Sequence, residues 1–160
     1  MKKLAEKPMI LHIVERARMC RHVNKVIVAT STENSDNELA DLCYKNKINI
    51  IRGSLNNVFE RYIEAIERFP SDYVVRITGD CPFIHPEFID KQIEALLSFD
   101  GDFVKVSQKT TLLEGQGVFS TKSLKNIYKN TKNLDDLEHV GSKYISENLE
   151  KFRIIKFEIP

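Results

Sequence analysis

Residues 72–82 read D-Y-V-V-R-I-T-G-D-C-P, and no other stretch is as informative about the architecture. The segment 72–78 is a largely apolar run that does not alternate in polarity, which is typical of a strand buried on both faces of a parallel sheet. The run ends at Gly79 and Asp80. Because ligands of open parallel sheets bind beyond the carboxyl ends of the strands, we expect a functional site at this point.

Asp80 is the residue in this stretch best suited to bind a metal ion. Mg²⁺ prefers oxygen ligands, keeps most of its waters, and is usually shared between one or two carboxylates and the phosphates of a substrate. Gly79 would allow the backbone to approach a phosphate closely, and Pro82 would stiffen the segment that leaves the strand. The spacing equally allows a second interpretation, in which the Asp80 side chain only closes the turn into the next helix.

The remainder of the chain alternates short apolar runs with segments of helical periodicity. Strands are predicted at 25–30, 48–51, 72–78 and 102–107, with further short runs at 117–119 and 152–159. Helices are predicted at 8–20, 38–46, 58–69, 86–99, 121–128 and 135–148. This order predicts an α/β protein with three layers, in which helices cover a mostly parallel sheet, and a single domain over residues 1–160.

The composition indicates a folded protein without general affinity for nucleic acid. Lys and Arg number 24 against 23 Asp and Glu, and a net charge of +1 supplies no broad positive field. No apolar run reaches the roughly 20 residues of a membrane span, so we expect no membrane insertion. The cysteines (Cys20, Cys43 and Cys81) are scattered, which is typical of reduced thiols, and we expect a cytoplasmic protein.

Three arginines are candidate ligands for phosphate or carboxylate, because a guanidinium can bind either anion through two parallel hydrogen bonds. Arg76 lies inside the strand at 72–78, where an unpaired charge would be costly, so its side chain should face a partner or a wet cleft; we favour the cleft. Arg52 follows the strand at 48–51. Arg61 lies in a helix and could equally occupy a solvated face, paired with a nearby glutamate.

Histidine and cysteine give weaker signals. His139 could contact a sugar hydroxyl, although a packed position within its helix is favoured. Cys81, beside Asp80, is expected to pack without reacting, because the neighbouring carboxylate disfavours a thiolate. The sequence has no Ser-His-Asp, Cys-His or H-E-x-x-H pattern, which excludes covalent acyl transfer and zinc hydrolysis.

Several segments resemble one family. R-I-T-G-D-C-P at 76–82, followed by F-I-H-P, closely resembles the R-I-T-G-D-C-P-L-I-D-P segment of the cytidylyltransferase-like proteins typified by spore coat polysaccharide biosynthesis protein F. Those proteins are relatives of the 3-deoxy-manno-octulosonate and acylneuraminate cytidylyltransferases. Segments 7–16, 26–31 and 52–62 are similar to the family's G-K-P-x-x-x-x-V-I-E-R, V-V-V-A-T-S and R-G-S-x-x-D-V-L-x-R-Y motifs. E-H-V at 138–140 and Y-I-S-E-N at 144–148 extend the resemblance over nearly the whole chain.

The resemblance implies a GT-A-like, Rossmann-like nucleotidyltransferase fold and the transfer of CMP from CTP to a sugar or sugar acid of surface polysaccharides. A sugar hydroxyl would attack the α-phosphate and pyrophosphate would leave, while Mg²⁺ and cationic side chains stabilise the phosphates. The family motifs imply that Asp80 is the metal ligand and that Arg76 and Asp80 are catalytic. The implied nucleotide-binding residues are Ala29, Thr30, Ser31, Arg52, Gly53, Arg61, Thr78 and Gly79. The implied sugar-binding residues are Glu114, Gly115 and His139.

The chain also departs from the family. The N-terminal strand, the R-x-x-S-x-R-L-P-G-K loop that grips the triphosphate, and a later segment with a second metal carboxylate are missing. Glu6 and Asn57 stand where the family has Gly and commonly Asp. We therefore expect a chain trimmed at both ends, with weak CTP binding and impaired activity. The alternative is a non-catalytic nucleotide- or sugar-binding domain that retains the scaffold. Relatives dimerise, so a homodimer is one expectation.

Overall fold

The computed structural model describes residues 1–106, 116–131 and 133–158. The chain forms two compact units, each discontinuous in sequence. The first unit comprises Met1–Val26, Tyr73–Ser120 and Phe152–Pro160, and the second comprises Ile27–Asp72 and Thr121–Lys151. The single domain over 1–160 stays a prediction.

The strands and helices follow the order expected from the sequence. The strands are β1 (Lys3–Leu4), β2 (Lys7–Pro8), β3 (Ile27–Ser31), β4 (Asn49–Gly53), β5 (Tyr73–Ile77), β6 (Phe103–Val106), β7 (Gln116–Ser120) and β8 (Ile154–Phe157). The helices are α1 (Met9–Arg18), α2 (Asn37–Lys45), α3 (Val58–Arg68), α4 (Pro86–Phe99), α5 (Thr121–Asn130), α6 (Leu134–His139) and α7 (Ser142–Glu147). Apart from the unpredicted β1–β2 hairpin and the helix predicted at 135–148, the elements lie within two residues of their predicted ends.

The first unit is built on a four-stranded sheet in the order β5-β7-β6-β8. β7 is antiparallel to both β5 and β6, and β8 is parallel to β6. The strands β5, β6 and β8 therefore run in the same direction. Apolar residues of α1 and α4 pack on one face of this sheet, where the buried cluster includes Ile13, Ile89, Leu96, Val104 and Val118. The predicted α/β class is confirmed.

α4 shows how the sequence sets the ends of an element in this unit. Pro86 occupies the first turn, where its missing N–H breaks no helical hydrogen bond. The helix ends where Asp100 adopts a left-handed conformation with a φ of 48°. At the following Gly101, an added Cβ would come within 2.6 Å of Ile155 and 2.7 Å of Leu96. The close approach of the turn to β8 therefore requires glycine.

The second unit contains the parallel pair β3 and β4, with α2 and α3 packed against it. Phe59 of α3 is fully buried and meets Tyr128 of α5 edge to face, with 5.1 Å between ring centroids. Contacts between α3 and the helices α5 and α6 complete this packing. The unit thus places the carboxyl ends of β3 and β4 beside the α3 helix.

The single helix predicted at 135–148 is wrong, because the structure divides it into α6 and α7. Val140 and Gly141 both have positive φ, at 56° and 78°, and these values end α6. The chain is held in this break by Asp136, whose carboxylate accepts a hydrogen bond from the backbone N–H of Tyr144 at 2.9 Å. An added Cβ at Gly141 would lie 2.4 Å from Cγ2 of Ile127. Helical periodicity continues across the break, which is why the pattern alone did not reveal it.

Across the described part of the chain, no helix is long and apolar enough to cross a membrane.

Candidate functional site

Asp80 follows the carboxyl end of β5, in a turn where its carboxylate accepts a weak hydrogen bond from Sγ of Cys81 at 3.6 Å. The backbone N–H of Cys81 donates to the carbonyl of Thr78 at 3.2 Å, and this hydrogen bond closes the turn. The Asp80 residue is exposed. A hydrogen bond from the Thr78 side chain is the largest cause that lowers the pKa of Asp80, so the carboxylate is charged at neutral pH. The ligand role of Asp80 stays a prediction, because its carboxylate also contacts Thr78 and Cys81 within the turn.

The chemistry of Asp80 fits Mg²⁺ held largely by water and substrate oxygens. An exposed, charged carboxylate supplies the oxygen ligand that this ion prefers. Within residues 1–106, 116–131 and 133–158, no group of three or more His, Cys, Asp or Glu side chains could hold a metal ion. Asp80 could therefore supply one of the oxygen ligands of such an ion.

Arg76 lies on the face of the sheet opposite the buried cluster of the first unit. Its neighbours Val75 and Ile77 pack against that cluster, and side chains alternate between the two faces of a strand. Arg76 is half-buried and pairs in register with Gly117 of β7. Its Nε atom is buried and has no hydrogen-bond partner among the described residues. A buried donor without a partner is costly, so this atom is suited to an anionic ligand.

A hydrogen-bond network joins the end of β3 to Asp36. One carboxylate oxygen of Asp36 accepts from the Thr30 hydroxyl at 2.6 Å, the Ser31 hydroxyl at 2.6 Å and the Ser31 backbone N–H at 2.9 Å. The Ser31 side chain is the largest cause that lowers the pKa of Asp36. Thr30 and Ser31 are buried, while Ala29 before them is half-buried. The two hydroxyls therefore shape the loop after β3 through Asp36.

Arg52, at the end of β4, holds the same loop. Its Nε donates to the Ser31 carbonyl at 2.9 Å. Its Nη2 donates to the carbonyl of Glu33 at 3.1 Å and to the side chain of Asn37 at 2.8 Å. In this structure Arg52 is thus a positioning residue for the loop between β3 and α2.

Arg61 is buried, with 8% of its surface exposed, so the solvated-face interpretation is wrong. Burial is the largest cause that lowers the pKa of Arg61, while the charges of Tyr62 and Asp36 act in the opposite direction. The side chain runs over Gly53, where an added Cβ would come within 3.0 Å of Cγ of Arg61. Its Nε has no hydrogen-bond partner among the described residues. A buried cation beside the ends of β3 and β4 is suited to hold an anion.

The structure gathers the predicted residues into two separate groups, one in each unit. Arg76, Thr78, Gly79 and Asp80 lie at the end of β5, whereas Ala29, Thr30, Ser31, Arg52, Gly53 and Arg61 lie at the ends of β3 and β4 and on α3. His139 is exposed at the end of α6, where its Nε2 lies 3.6 Å from Asp135, so the packed position is wrong. Glu114 and Gly115 lie outside the described residues.

Asp36 is the residue that sequence reasoning missed. It precedes α2 at the N-cap position, where an aspartate ordinarily accepts from the first backbone N–H groups of the helix. Here the side chain makes no such cap and turns back to β3 instead. A carboxylate six residues beyond the apolar run at 25–30 was the only available signal.

Comparison with known proteins shows the family. The family described as cytidylyltransferase matches residues 1–160, and the chain belongs to it. The chain is 34% identical over 158 residues to the uncharacterized protein MJ1063 of Methanocaldococcus jannaschii, covering 99% of this chain and 64% of that protein. It is 31% identical over 98 residues to the spore coat polysaccharide biosynthesis protein SpsF of Bacillus subtilis, covering 59% of this chain and 41% of that protein. The chain thus spans less than two thirds of the length of these relatives.

A solved structure agrees with this assignment. A cytidylyltransferase from Leptospira borgpetersenii superimposes with a TM-score of 0.88 at 26% sequence identity, covering 98% of this chain and 67% of that one. The nucleotidyltransferase fold and the family resemblance expected from the sequence are both confirmed.

Proposed function

We propose that the protein is a cytidylyltransferase that transfers CMP from CTP to a sugar or sugar acid in surface polysaccharide or glycan biosynthesis. The observation that carries the proposal is the exposed, charged carboxylate of Asp80 directly beyond β5. Membership of the cytidylyltransferase family and the name of the relative SpsF support the class of substrate.

The reaction needs alignment and charge stabilisation more than covalent work by the protein. The hydroxyl oxygen of the sugar forms a bond to the α-phosphorus of CTP, the bond from that phosphorus to the bridging oxygen breaks, and pyrophosphate leaves with the electron pair. The hydroxyl proton passes to solvent. Mg²⁺, when bound, would neutralise charge on the phosphates. Asp80 would hold the ion, and the guanidinium of Arg76 would donate to an oxyanion near it.

The residues at the ends of β3 and β4 would bind the nucleotide. The buried guanidinium of Arg61 supplies a positive charge, and the loop after β3 is fixed by Asp36 and Arg52 before any ligand arrives. Preorganisation of this kind lowers the cost of ordering a loop on binding. Ala29 and Gly53 would then offer backbone close to the ligand. A homodimer and a cytoplasmic location belong to the same proposal, and sedimentation velocity tests the first of these.

Pyrophosphate release with CTP, Mg²⁺ and a panel of octulosonic and nonulosonic acids tests the activity. The Asp80→Asn variant keeps the shape of the side chain but removes its charge, and we expect its turnover to fall about 100-fold. Asp41→Asn, on the exposed side of α2, is the matched control and should match the wild type.

Two results would count against this proposal. Mg²⁺-dependent CTP binding without turnover on any acceptor would favour the alternative of a non-catalytic nucleotide-binding domain. CTP affinity that is identical in the wild type and Asp80→Asn would contradict the role of Asp80 as the metal ligand.

A further inference from the structure

The second face of the sheet in the first unit carries cations at the ends of three strands. Val104, Val106, Ile155 and Phe157 pack against the buried cluster on the other face. Because side chains alternate along a strand, Lys105 of β6 points to the second face. The same alternation places Lys156 of β8 and Arg76 of β5 there too.

The register of the strands places these three cations at one level. Arg76 pairs with Gly117, and Lys105 pairs with Lys156. Phe103 pairs with Phe119 across the antiparallel pair β6 and β7, and continuing that register by two residues brings Lys105 level with Gly117. Arg76, Lys105 and Lys156 thus form a cationic row across the sheet. With a strand spacing of about 4.8 Å, the row is roughly 14 Å long.

The cationic row breaks a rule of sheet stability. Like charges directly opposite each other on neighbouring strands are destabilising, yet Lys105 and Lys156 face each other in register. Both lysines are exposed, and neither forms an ion pair with an acidic residue in the described ranges. A sequence usually violates such a local rule where function requires it.

The position of the row is that of a ligand site. β5, β6 and β8 run in the same direction, and the row lies near the carboxyl end of each, where open sheets bind ligands. Asp80 follows Arg76 by four residues at the same end of β5. The Phe119 ring packs against Gly117. A Cβ added at Gly117 would come within 2.8 Å of Cε2 of Phe119. An aromatic ring among cations is suited to a ligand that is partly apolar and carries an anionic group.

We propose that the cationic row binds an oxyanion of a substrate, either the carboxylate of an acceptor sugar acid or the phosphates of the nucleotide. The buried Nε of Arg76, which has no partner among the described residues, supplies the directional hydrogen bond. Lys105 and Lys156 supply charge. This inference rests on the proposed function, since it names the residues that receive the anionic groups of its substrates.

Calorimetric titration with two probes tests the row and separates the two sources. Inorganic pyrophosphate stands for the phosphates of the nucleotide, and 3-deoxy-manno-octulosonate stands for a sugar acid. We expect Lys156→Glu to weaken binding of at least one probe about tenfold, because charge reversal replaces an attraction by a repulsion. Lys105→Gln should weaken the same probe about threefold. Lys91→Glu on α4, which packs on the other face of the sheet, is the matched control and should leave both affinities unchanged.

Thermal unfolding gives an independent readout of the same row. The carboxylate introduced by Lys156→Glu would face Lys105, so we expect Tm to rise while anion affinity falls. A variant that had merely lost its fold would show a lower Tm.

The outcomes distinguish this inference from the proposed function. If Lys156→Glu keeps wild-type affinity for both probes, or if the wild type binds neither probe, the row is not an anion site. Such a result leaves CTP-dependent pyrophosphate release by the wild type as the separate test of the proposed function. Conversely, a wild type that binds an anion through the row but shows no turnover would contradict the proposed function alone.

Discussion

Asp36 accepts three hydrogen bonds at one carboxylate oxygen, and together with Arg52 it orders the loop after β3. Such a residue is hard to identify from sequence patterns, because its hydrogen-bond partners depend on the conformation of the loop. The same limit applies to Arg61. A helix position with polar neighbours gives no sign of burial until the packing of α3 against β3 and β4 is known.

We predict that Asp36→Asn destabilises the protein by about 1 kcal/mol at pH 7, because the amide accepts these hydrogen bonds less strongly. The folded pKa of Asp36 lies below its ordinary value of 3.8. The contribution of Asp36 is therefore fully present above pH 3.8, and it is lost as the pH falls through the lowered folded pKa. Urea unfolding from pH 7 to pH 3 measures the difference, with Asp41→Asn as control. A difference that grew at acidic pH would contradict this assignment.

Gly53 and Gly79 lie at the ends of β4 and β5, and they should respond differently to a methyl group. At Gly53 an added Cβ would come within 3.0 Å of Arg61, whereas at Gly79 it would meet nothing within 4 Å. We expect Gly53→Ala to lower the free energy of unfolding by about 1 kcal/mol. Gly79→Ala should change that free energy by less than about 0.5 kcal/mol.

CTP titration completes the comparison of the two glycines. If the backbone at Gly79 approaches a phosphate, Gly79→Ala should weaken CTP binding about tenfold despite its neutral effect on stability. An unchanged CTP affinity in Gly79→Ala would remove that glycine from the nucleotide-binding residues.

At the level of elements, the break between α6 and α7 depends on Gly141. Its φ of 78° is strained for any residue with a Cβ, and the nearest atom to an added Cβ is Cγ2 of Ile127, at 2.4 Å. We predict that Gly141→Ala costs about 3 kcal/mol of stability, from the strained backbone together with overpacking. Thermal unfolding checks the value, and Ser142→Ala, which removes an exposed hydrogen bond to the His139 carbonyl, is the control. Equal Tm values for the two variants would contradict the requirement for glycine at position 141.

Helices and strands could be predicted where the hydrophobic periodicity and the residues that begin or end an element gave the same bounds. α4 begins and ends where the sequence places it, because Pro86 starts the helix and the apolar stripe stops at Phe99. The β1–β2 hairpin was not predictable, since two-residue strands carry no periodicity. The position of β7 between β5 and β6, antiparallel to both, could not be predicted either, because a short apolar run does not indicate the direction of its strand.

At the level of the whole molecule, the α/β class and the family could be predicted from the sequence, but the pairing of distant strands could not. The candidate site at the end of β5 could be predicted because its strand and its loop are adjacent in the chain. The cationic row needs the register of β6 with β8, which lie about 50 residues apart, and no local pattern encodes that register. The pairing of distant strands is therefore the part of the fold that could not be predicted from a single sequence.

The pairing of β8 with β6 also has a consequence for how the protein emerges from the ribosome. Phe103–Val106 can gain its parallel neighbour only after Ile154–Phe157 has been synthesised, when the whole second unit has already appeared. Until then β6 has not paired with β8. The side chains of Ile155 and Phe157 are also not yet packed against the buried cluster of the first unit. The nascent chain thus passes through a stage with an unpaired strand edge, which is the kind of edge that is prone to aggregation.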